Sequence, residues 1–286
     1  MTTILDGKAL SDDILKNCKK IIEMLETKPQ LAVIQVGDNI ASKIYVKKKQ
    51  RIAEEIGLRS VVIKLDSDIS EKELIKQIEI LNKDKDTHAI LVQLPLPAHI
   101  DEFKIQDSIN YLKDVDGFSM YNTAAIAKGK PPLVYPCTPC GIMRLLEKYN
   151  IEIAGKHAVI IGRSNIVGRP MALMLLNKSA TVSICHSKTV NLAQITKTAD
   201  IIVSAVGIPN ILTADMVRKG AVVIDVGINR LDSGSIVGDV DFEAVRQVAG
   251  YITPVPGGVG PMTIAMLMEN TIELFKYSFV TKKTRT

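Results

Sequence analysis

Short apolar runs that alternate with segments of helical period constrain this chain more than any other feature. In the first half the runs cover residues 31–36, 60–65 and 89–94, and Pro95-Leu96-Pro97 closes the last. Runs of this length suit strands buried on both faces. Between them the apolar period changes. Leu10, Ile14, Cys18, Ile21 and Leu25 recur at helical spacing, and a second helix is expected over 41–56 with Gly57 ending it. Ser70-x-x-Glu73 is a capping box opening a third helix that runs to about Leu81. A strand–helix–strand rhythm of this kind predicts a parallel sheet covered by helices.

The second half repeats the rhythm. Strands are expected over 157–161, 181–185, 201–206 and 221–226, and helices over 168–176 and 192–198, with a short turn at 213–217. Residues 228–237, with Ser233-Gly234 in the middle, read as a β-hairpin. A last helix is expected from Pro261 to Phe279. The Pro- and Gly-rich stretch 128–139 separates the halves, and 286 residues are enough for two domains. The fold class is therefore α/β with two domains.

Composition excludes several function classes. With 47% hydrophobic and 23% charged residues, the chain is an ordinary globular sequence rather than a disordered or fibrous one. Seven Tyr, five Phe and no Trp offer few stacking platforms for single-stranded nucleic acid. The net charge of +5 is a mild excess that suits a small anion, and the basic runs Lys47 to Arg51 and Lys282 to Arg285 read as a solvated helix face and a frayed terminus. No apolar run reaches a membrane span, and residues 1–10 lack the pattern of a secretory signal, so a cytoplasmic location is expected. Cys137 and Cys140 form a CxxC, but no second CxxC or ligand-spaced His pair accompanies it, so no metal is expected. Thr138-Pro139 reads instead as the N-cap and first residue of a helix.

The strand over 157–161 runs into Gly162-Arg163-Ser164-Asn165-Ile166-Val167-Gly168 and a helix. A glycine at a strand end lets the backbone approach a pyrophosphate, and the helix start supplies unpaired N–H groups. The spacing is neither GxGxxG nor a Walker A loop. Folds that prefer NAD place an acid about twenty residues on, to bind the ribose 2′-hydroxyl. Here no Asp or Glu occurs between Glu152 and Asp200, while Arg163 and Lys188 are at hand for a 2′-phosphate. This favours NADP.

Tyr45 and Lys49 lie four apart on one face of the second helix. A lysine on an apolar stripe either extends to solvent or is desolvated enough to shuttle a proton near neutral pH. Gln93 ends a buried strand, where α/β sheets place ligand-binding groups. Asp114-Val115-Asp116-Gly117 is an acidic turn, and Pro254 to Pro261 is a loop of unusual constraint that could approach a flat ligand.

Taken together, Tyr45-x-x-x-Lys49, Gln93-Leu94-Pro95-Leu96-Pro97, Asp114-Val115-Asp116-Gly117, Pro136-Cys137-Thr138-Pro139, Gly162-Arg163-Ser164-x-Ile166-Val167-Gly168 and Pro254-Val255-Pro256-Gly257-Gly258-Val259-Gly260-Pro261-Met262-Thr263 resemble the bifunctional methylenetetrahydrofolate dehydrogenase/cyclohydrolase family over nearly the whole chain. The resemblance implies NADP-linked oxidation of 5,10-methylenetetrahydrofolate and hydrolysis of the methenyl product to 10-formyltetrahydrofolate, a one-carbon supply for purine biosynthesis. It implies that Lys49 is the central catalytic group, with Tyr45 stacking on the folate, Gln93 holding Lys49, Asp116 binding the pterin, and Pro256, Gly257 and Gly258 lining the folate cleft. It places NADP on Gly162, Arg163, Ser164, Ile166, Val167, Ser187 and Ile228. It also implies a catalytic domain over 1–138 joined by the final helix 261–286, a Rossmann-like domain over 139–260, an active site in the cleft between them, and a homodimer. The sequence departs from the family at Cys140 and at Ser119-Met120, where His-Pro is frequent.

The alternatives are an NAD-linked dehydrogenase without the second activity, a shikimate-type NADP dehydrogenase, and a non-catalytic nucleotide-binding module. The first is disfavoured by the acid-free stretch, the second by the Asp116 turn and the Gly257-Gly258 loop, and the third by the joint presence of Tyr45, Lys49, Gln93 and Asp116.

Overall fold

Each strand of the chain is short, and the helices between them carry the alternation into three dimensions. A computed structural model describes residues 1–283, with side chains as far as Phe279. The side chains of the basic run from Lys282 to Arg285 lie outside the described residues. The strands are β1 (Thr3–Ile4), β2 (Gln30–Val36), β3 (Arg59–Leu65), β4 (Ala89–Val92), β5 (His157–Ile161), β6 (Thr181–Cys185), β7 (Ile201–Ser204), β8 (Val222–Asp225), β9 (Asn229–Arg230), β10 (Ile236–Val237) and β11 (Tyr251–Ile252). The helices are α1 (Gly7–Glu23), α2 (Ile40–Glu55), α3 (Glu71–Lys83), α4 (Glu102–Ser108), α5 (Met120–Ala127), α6 (Cys137–Lys148), α7 (Gly168–Leu176), α8 (Leu192–Thr196), α9 (Phe242–Val245) and α10 (Val259–Lys283). One 3-10 turn, Ala214–Met216, stands where the short turn was expected.

The chain divides into two units. One comprises Asp13–Tyr135 and α10 from Leu267 onward. Its parallel sheet has the order β3-β2-β4. All seven residues of the central strand β2 are buried, as a strand with apolar residues on both faces requires. Leu74, Ile78 and Leu81 of α3 pack into a cluster with Ala32, Ile34, Ile90 and Val92. Burying each of these larger side chains is worth about 1.5–3 kcal/mol. The capping box at Ser70 is formed in both directions.

The other unit comprises Met1–Asp12 and Pro136–Met266. Its six strands run parallel in the order β1-β11-β8-β7-β5-β6. Val159, Ile161, Ile202, Val223 and Ile252 form the centre of its core. The chain passes from β5 to β6 on one side and returns to β7 on the other. Sheets with such a reversal take ligands at the strands' carboxyl ends beside it, here next to β5.

Several details differ from the sequence reading. Residues 1–12 cluster with the nucleotide-type unit rather than with the rest of 1–138, because Thr3 and Leu5 donate to the carbonyls of Gly250 and Ile252 and pair β1 with β11. Two-residue strands carry no period, so neither β1 nor β11 was legible. Helix α10 starts at Val259, before Pro261, and only its part from Leu267 joins the first unit. Thr138 is not an N-cap: α6 begins at Cys137, its cap residue is Pro136 with no side-chain hydrogen bond, and the Thr138 hydroxyl lies 2.9 Å from that of Thr263. The short helices α4 and α5 were not anticipated.

Candidate active site

The Asn39 side chain caps α2 by accepting from the Ser42 amide at 3.0 Å. From that start the helix carries Tyr45 and Lys49 inward by one turn each. Lys47 and Lys48 are exposed, whereas Lys49 and Tyr45 are half-buried. Lys49 Nζ donates to Gln93 Oε1 at 2.9 Å. Gln93 is itself fixed: its amide N–H donates to the Ile34 carbonyl at 2.8 Å, and its side-chain Nε2 to the Leu94 carbonyl at 2.7 Å. The side-chain bond leaves Oε1 aimed at the ammonium. Burial pushes the Tyr45 phenol up from its ordinary value, so it stays neutral and offers a ring face and a hydroxyl rather than an anion.

The acidic turn sits beside β4. Ile90 bridges to Asp114 in parallel register, and the Ile90 amide donates to the Lys113 carbonyl at 2.7 Å. Asp114 is 2% exposed. Its carboxylate accepts from the amides of Gly117 and Ser119 at 3.0 and 2.7 Å, and from Asn122 Nδ2 at 3.0 Å. Asn122 is fully buried and also accepts from the Leu133 amide at 3.0 Å. Asn270 of α10 donates to the Val115 carbonyl at 2.9 Å. The turn is thus held from three sides, and it presents Asp116, half-exposed, at its tip. The two acids of Asp-Val-Asp-Gly differ in burial: Asp114 is the internal anchor and Asp116 is only half-covered. Burial pushes the Lys113 ammonium down, opposed by the charge of Asp84. Lys113 donates to the Leu81 carbonyl at 2.8 Å and thereby ties the end of α3.

In the other unit, Gly162 N–H donates to the Cys185 carbonyl at 2.9 Å. A side chain on Gly162 would overlap the Ala205 carbonyl after β7, and one on Gly168 would overlap the Gly162 carbonyl. The loop is therefore folded tightly on itself in a way that only glycine permits at both ends. Ser164 Oγ accepts from the Val167 and Gly168 amides at 3.1 and 3.3 Å. Arg163 and Ser164 are exposed, while Ile166 and Val167 are half-buried. After β6 the turn is closed by His186, whose amide donates to Thr189 Oγ1 at 2.8 Å and whose Nδ1 accepts from Lys188 N at 3.1 Å. Ser187 and Lys188 stand exposed on it. Ile228, after β8, is 47% exposed. The Gly162 loop, a helix start and exposed basic groups without carboxylates between them fit a phosphorylated dinucleotide.

Pro256, Gly257 and Gly258 lie in the loop before α10, in the same unit as the nucleotide loop. The Gly258 amide donates to the Pro254 carbonyl and the Lys8 amide to the Gly257 carbonyl, both at 2.8 Å. Sequence reasoning named Asp116 but missed the anchors Asp114, Asn122 and Asn270. Their signal was only the polar character of residues in an apolar setting. Among the described residues, no group of three or more His, Cys, Asp or Glu side chains could hold a metal ion, and no helix is long and apolar enough to cross a membrane.

Comparison with known proteins identifies the family. Residues 5–116 match the tetrahydrofolate dehydrogenase/cyclohydrolase catalytic domain, and residues 136–279 match the NAD(P)-binding domain of the same family. The bifunctional protein FolD of Paracidovorax citrulli is 55% identical over 94% of this chain and 96% of its own. The crystal structure of the bifunctional FolD dehydrogenase/cyclohydrolase from Campylobacter jejuni superposes with a TM-score of 0.95 at 54% identity, covering 97% of this chain and 99% of that one. The Trypanosoma brucei dehydrogenase-cyclohydrolase, solved with NADP cofactor and an inhibitor, gives a TM-score of 0.94 at 37% identity, covering 97% and 98%. With both domains matched in order and relatives aligned along almost their full length, the chain belongs to the tetrahydrofolate dehydrogenase/cyclohydrolase family.

Proposed function

We infer that the protein oxidises 5,10-methylenetetrahydrofolate to 5,10-methenyltetrahydrofolate with NADP⁺ and hydrolyses the product to 10-formyltetrahydrofolate. The observation that carries the residue assignment is the half-buried Lys49 held by Gln93 at 2.9 Å while its neighbours Lys47 and Lys48 face solvent. NADP⁺, when bound, accepts the hydride. Gly162, Arg163, Ser164, Ile166, Val167, Ser187 and Ile228 hold it, with Arg163 and Ser187 on the 2′-phosphate.

The methylene carbon needs no strong base, because its nitrogens stabilise the cation left by hydride loss. Oxidation is then chiefly a matter of orientation. Tyr45 stacks on the aminobenzoyl part, Asp116 pairs with the amino-pyrimidine edge of the pterin through two parallel N–H bonds, and Pro256, Gly257 and Gly258 limit the folate site. Hydrolysis demands more. Water adds to the amidinium carbon and loses one proton to give a carbinol; the bond to the ring nitrogen then breaks as that nitrogen takes up a proton and the carbinol hydroxyl gives up its own to become the formyl oxygen. Lys49 moves protons in this sequence, and Gln93 keeps its Nζ in place. A positioned general acid–base is worth about 10²–10⁴-fold.

The acid-free stretch between Glu152 and Asp200 supports NADP over NAD. The protein acts as a homodimer in the cytoplasm, and its product supplies formyl groups to purine biosynthesis. Light scattering on the purified protein tests the dimer. Absorbance tests the activity: protein, methylenetetrahydrofolate and NADP⁺ yield reduced cofactor with little methenyl species accumulating. Binding of NADP⁺ without folate turnover would make the chain a nucleotide-binding module instead.

A further inference from the structure

Two carboxylates outside every assigned role are buried at the carboxyl ends of β7 and β8. Asp225 is 3% exposed and Asp239 fully buried. Asp239 accepts from the amides of Val206, Gly207 and Ile208 at 2.8, 3.2 and 3.0 Å. It also accepts from Ser204 Oγ at 3.2 Å and Asn229 Nδ2 at 3.1 Å. Asp225 accepts from the amides of Gly227, Asp239 and Val240 at 3.0, 2.8 and 3.0 Å.

The arrangement is reciprocal. A side chain on Gly227 would overlap the Asp239 carboxylate, and one on Gly238 would overlap that of Asp225. Each carboxylate fills the space that the facing glycine leaves. A buried carboxylate is expensive unless its lone pairs are taken up; Asp225 takes up the Asp239 and Val240 amides after β10, while the amide and Asn229 donors to Asp239 come from two loops. One follows β7 and carries Ile208; the other follows β8 and carries Ile228. Both isoleucines are about half-exposed, at 51% and 47%. Rigid loops that hold apolar side chains in water at the carboxyl edge of a parallel sheet are suited to a flat ligand ring.

We propose that Asp239, braced by Asp225, is a positioning residue for the dinucleotide: its carboxylate ties the loops after β7 and β8 together, so that Ile208 and Ile228 form one preset contact face. Ile208 thereby becomes a cofactor-contact residue. The proposal rests on NADP being the cofactor, so titration of the unaltered protein with NADP⁺ comes first.

Asp239→Asn keeps the shape but turns a donor towards the amides. Calorimetric titration should show NADP⁺ binding weakened about tenfold or more. The KM for NADP⁺ should rise accordingly, with kcat at saturating NADP⁺ nearly kept. Hydrolysis of preformed methenyltetrahydrofolate, which uses no NADP⁺, should stay within about twofold, whereas general unfolding would lower both activities together. Asn229→Ala, a milder cut between the same loops, should weaken NADP⁺ binding severalfold and decides the matter if Asp239→Asn does not fold. Unaltered NADP⁺ affinity in a folded variant, or parallel loss of both activities, overturns the proposal. Absence of NADP⁺ binding by the unaltered protein would overturn the cofactor assignment beneath it.

Discussion

Lys49 Nζ and Gln93 Oε1 are 2.9 Å apart although 44 residues separate them in the chain. One sits on a helix and the other just past the end of β4, so the pair exists only because α2 packs against the sheet that contains β4. The acceptor is a neutral amide oxygen. Gln93→Glu should keep the contact but favour the ammonium form. Cyclohydrolase activity at neutral pH should fall roughly tenfold or more, and the limb of the pH–rate profile that reflects the lysine should move to higher pH. A loss with an unshifted profile would argue against a proton-transfer role.

The two acids of the Asp-Val-Asp-Gly turn should separate cleanly. Asp114→Ala strands three buried donors, on Gly117, Ser119 and Asn122. Each costs about 1–3 kcal/mol when unsatisfied, so thermal denaturation should show a large loss of stability. Asp116→Ala should cost less stability than Asp114→Ala and should raise the folate KM by about tenfold or more, since each hydrogen bond to a charged group is worth about 1.5–3 kcal/mol. Equal effects of the two substitutions on stability and KM would contradict the division.

Arg163 is exposed on the loop after β5 and far in sequence from any carboxylate. Its removal should weaken NADP⁺ binding about tenfold or more, since hydrogen bonds to charged groups are worth about 1.5–3 kcal/mol. NAD⁺, which lacks the 2′-phosphate, should be affected little. Titration of Arg163→Ala with each cofactor measures the difference, and equal losses would place Arg163 elsewhere.

Asp225 gives a pH dependence of definite sign. Burial above all pushes its carboxyl from the ordinary 3.8 up to about 6; the amides of Asp239 and Val240 oppose this and the charge of Asp239 adds to it. Between about pH 4 and 6 the folded chain therefore holds a proton that the unfolded chain has released. The contribution favours folding at the acid end and is lost as the pH rises through about 6, a change of roughly 3 kcal/mol. Urea denaturation across this range should show the unaltered protein losing stability relative to Asp225→Asn as pH rises. Parallel curves would contradict the assignment.

Much of this molecule was legible because its signals are local. The buried strands β2 and β5, the capping box at Ser70 and the hairpin of β9 and β10 each follow from neighbouring residues alone. Lys49 was legible as one member of a motif, but its selection over Lys47 and Lys48 depends on which helix face is covered, a tertiary fact. The pairing of β1 with β11 joins the first residues to position 251 and leaves no periodic trace in strands of two residues. Asp114 resembled any surface turn until its donors were seen. Asp225, inside the strand expected over 221–226, and Asp239 carried no signal of each other, because the glycines that face them, Gly227 and Gly238, lie on opposite sides of a hairpin. Thr138-Pro139 misled for the opposite reason: a good capping sequence was overridden by packing, and the hydroxyl found Thr263 instead.

Hydrolysis depends on the proton-moving Lys49, whereas oxidation depends chiefly on orientation. Lys49→Met keeps the length and apolar stem of the side chain and removes the amine. With reduced NADP and the methenyl species followed separately, hydrolysis of methenyltetrahydrofolate should fall by about 10²-fold or more, dehydrogenase activity should remain measurable, and methenyl product should accumulate in place of the formyl compound. Hydrolysis at an unchanged rate, or equal loss of both activities in a folded variant, would contradict it.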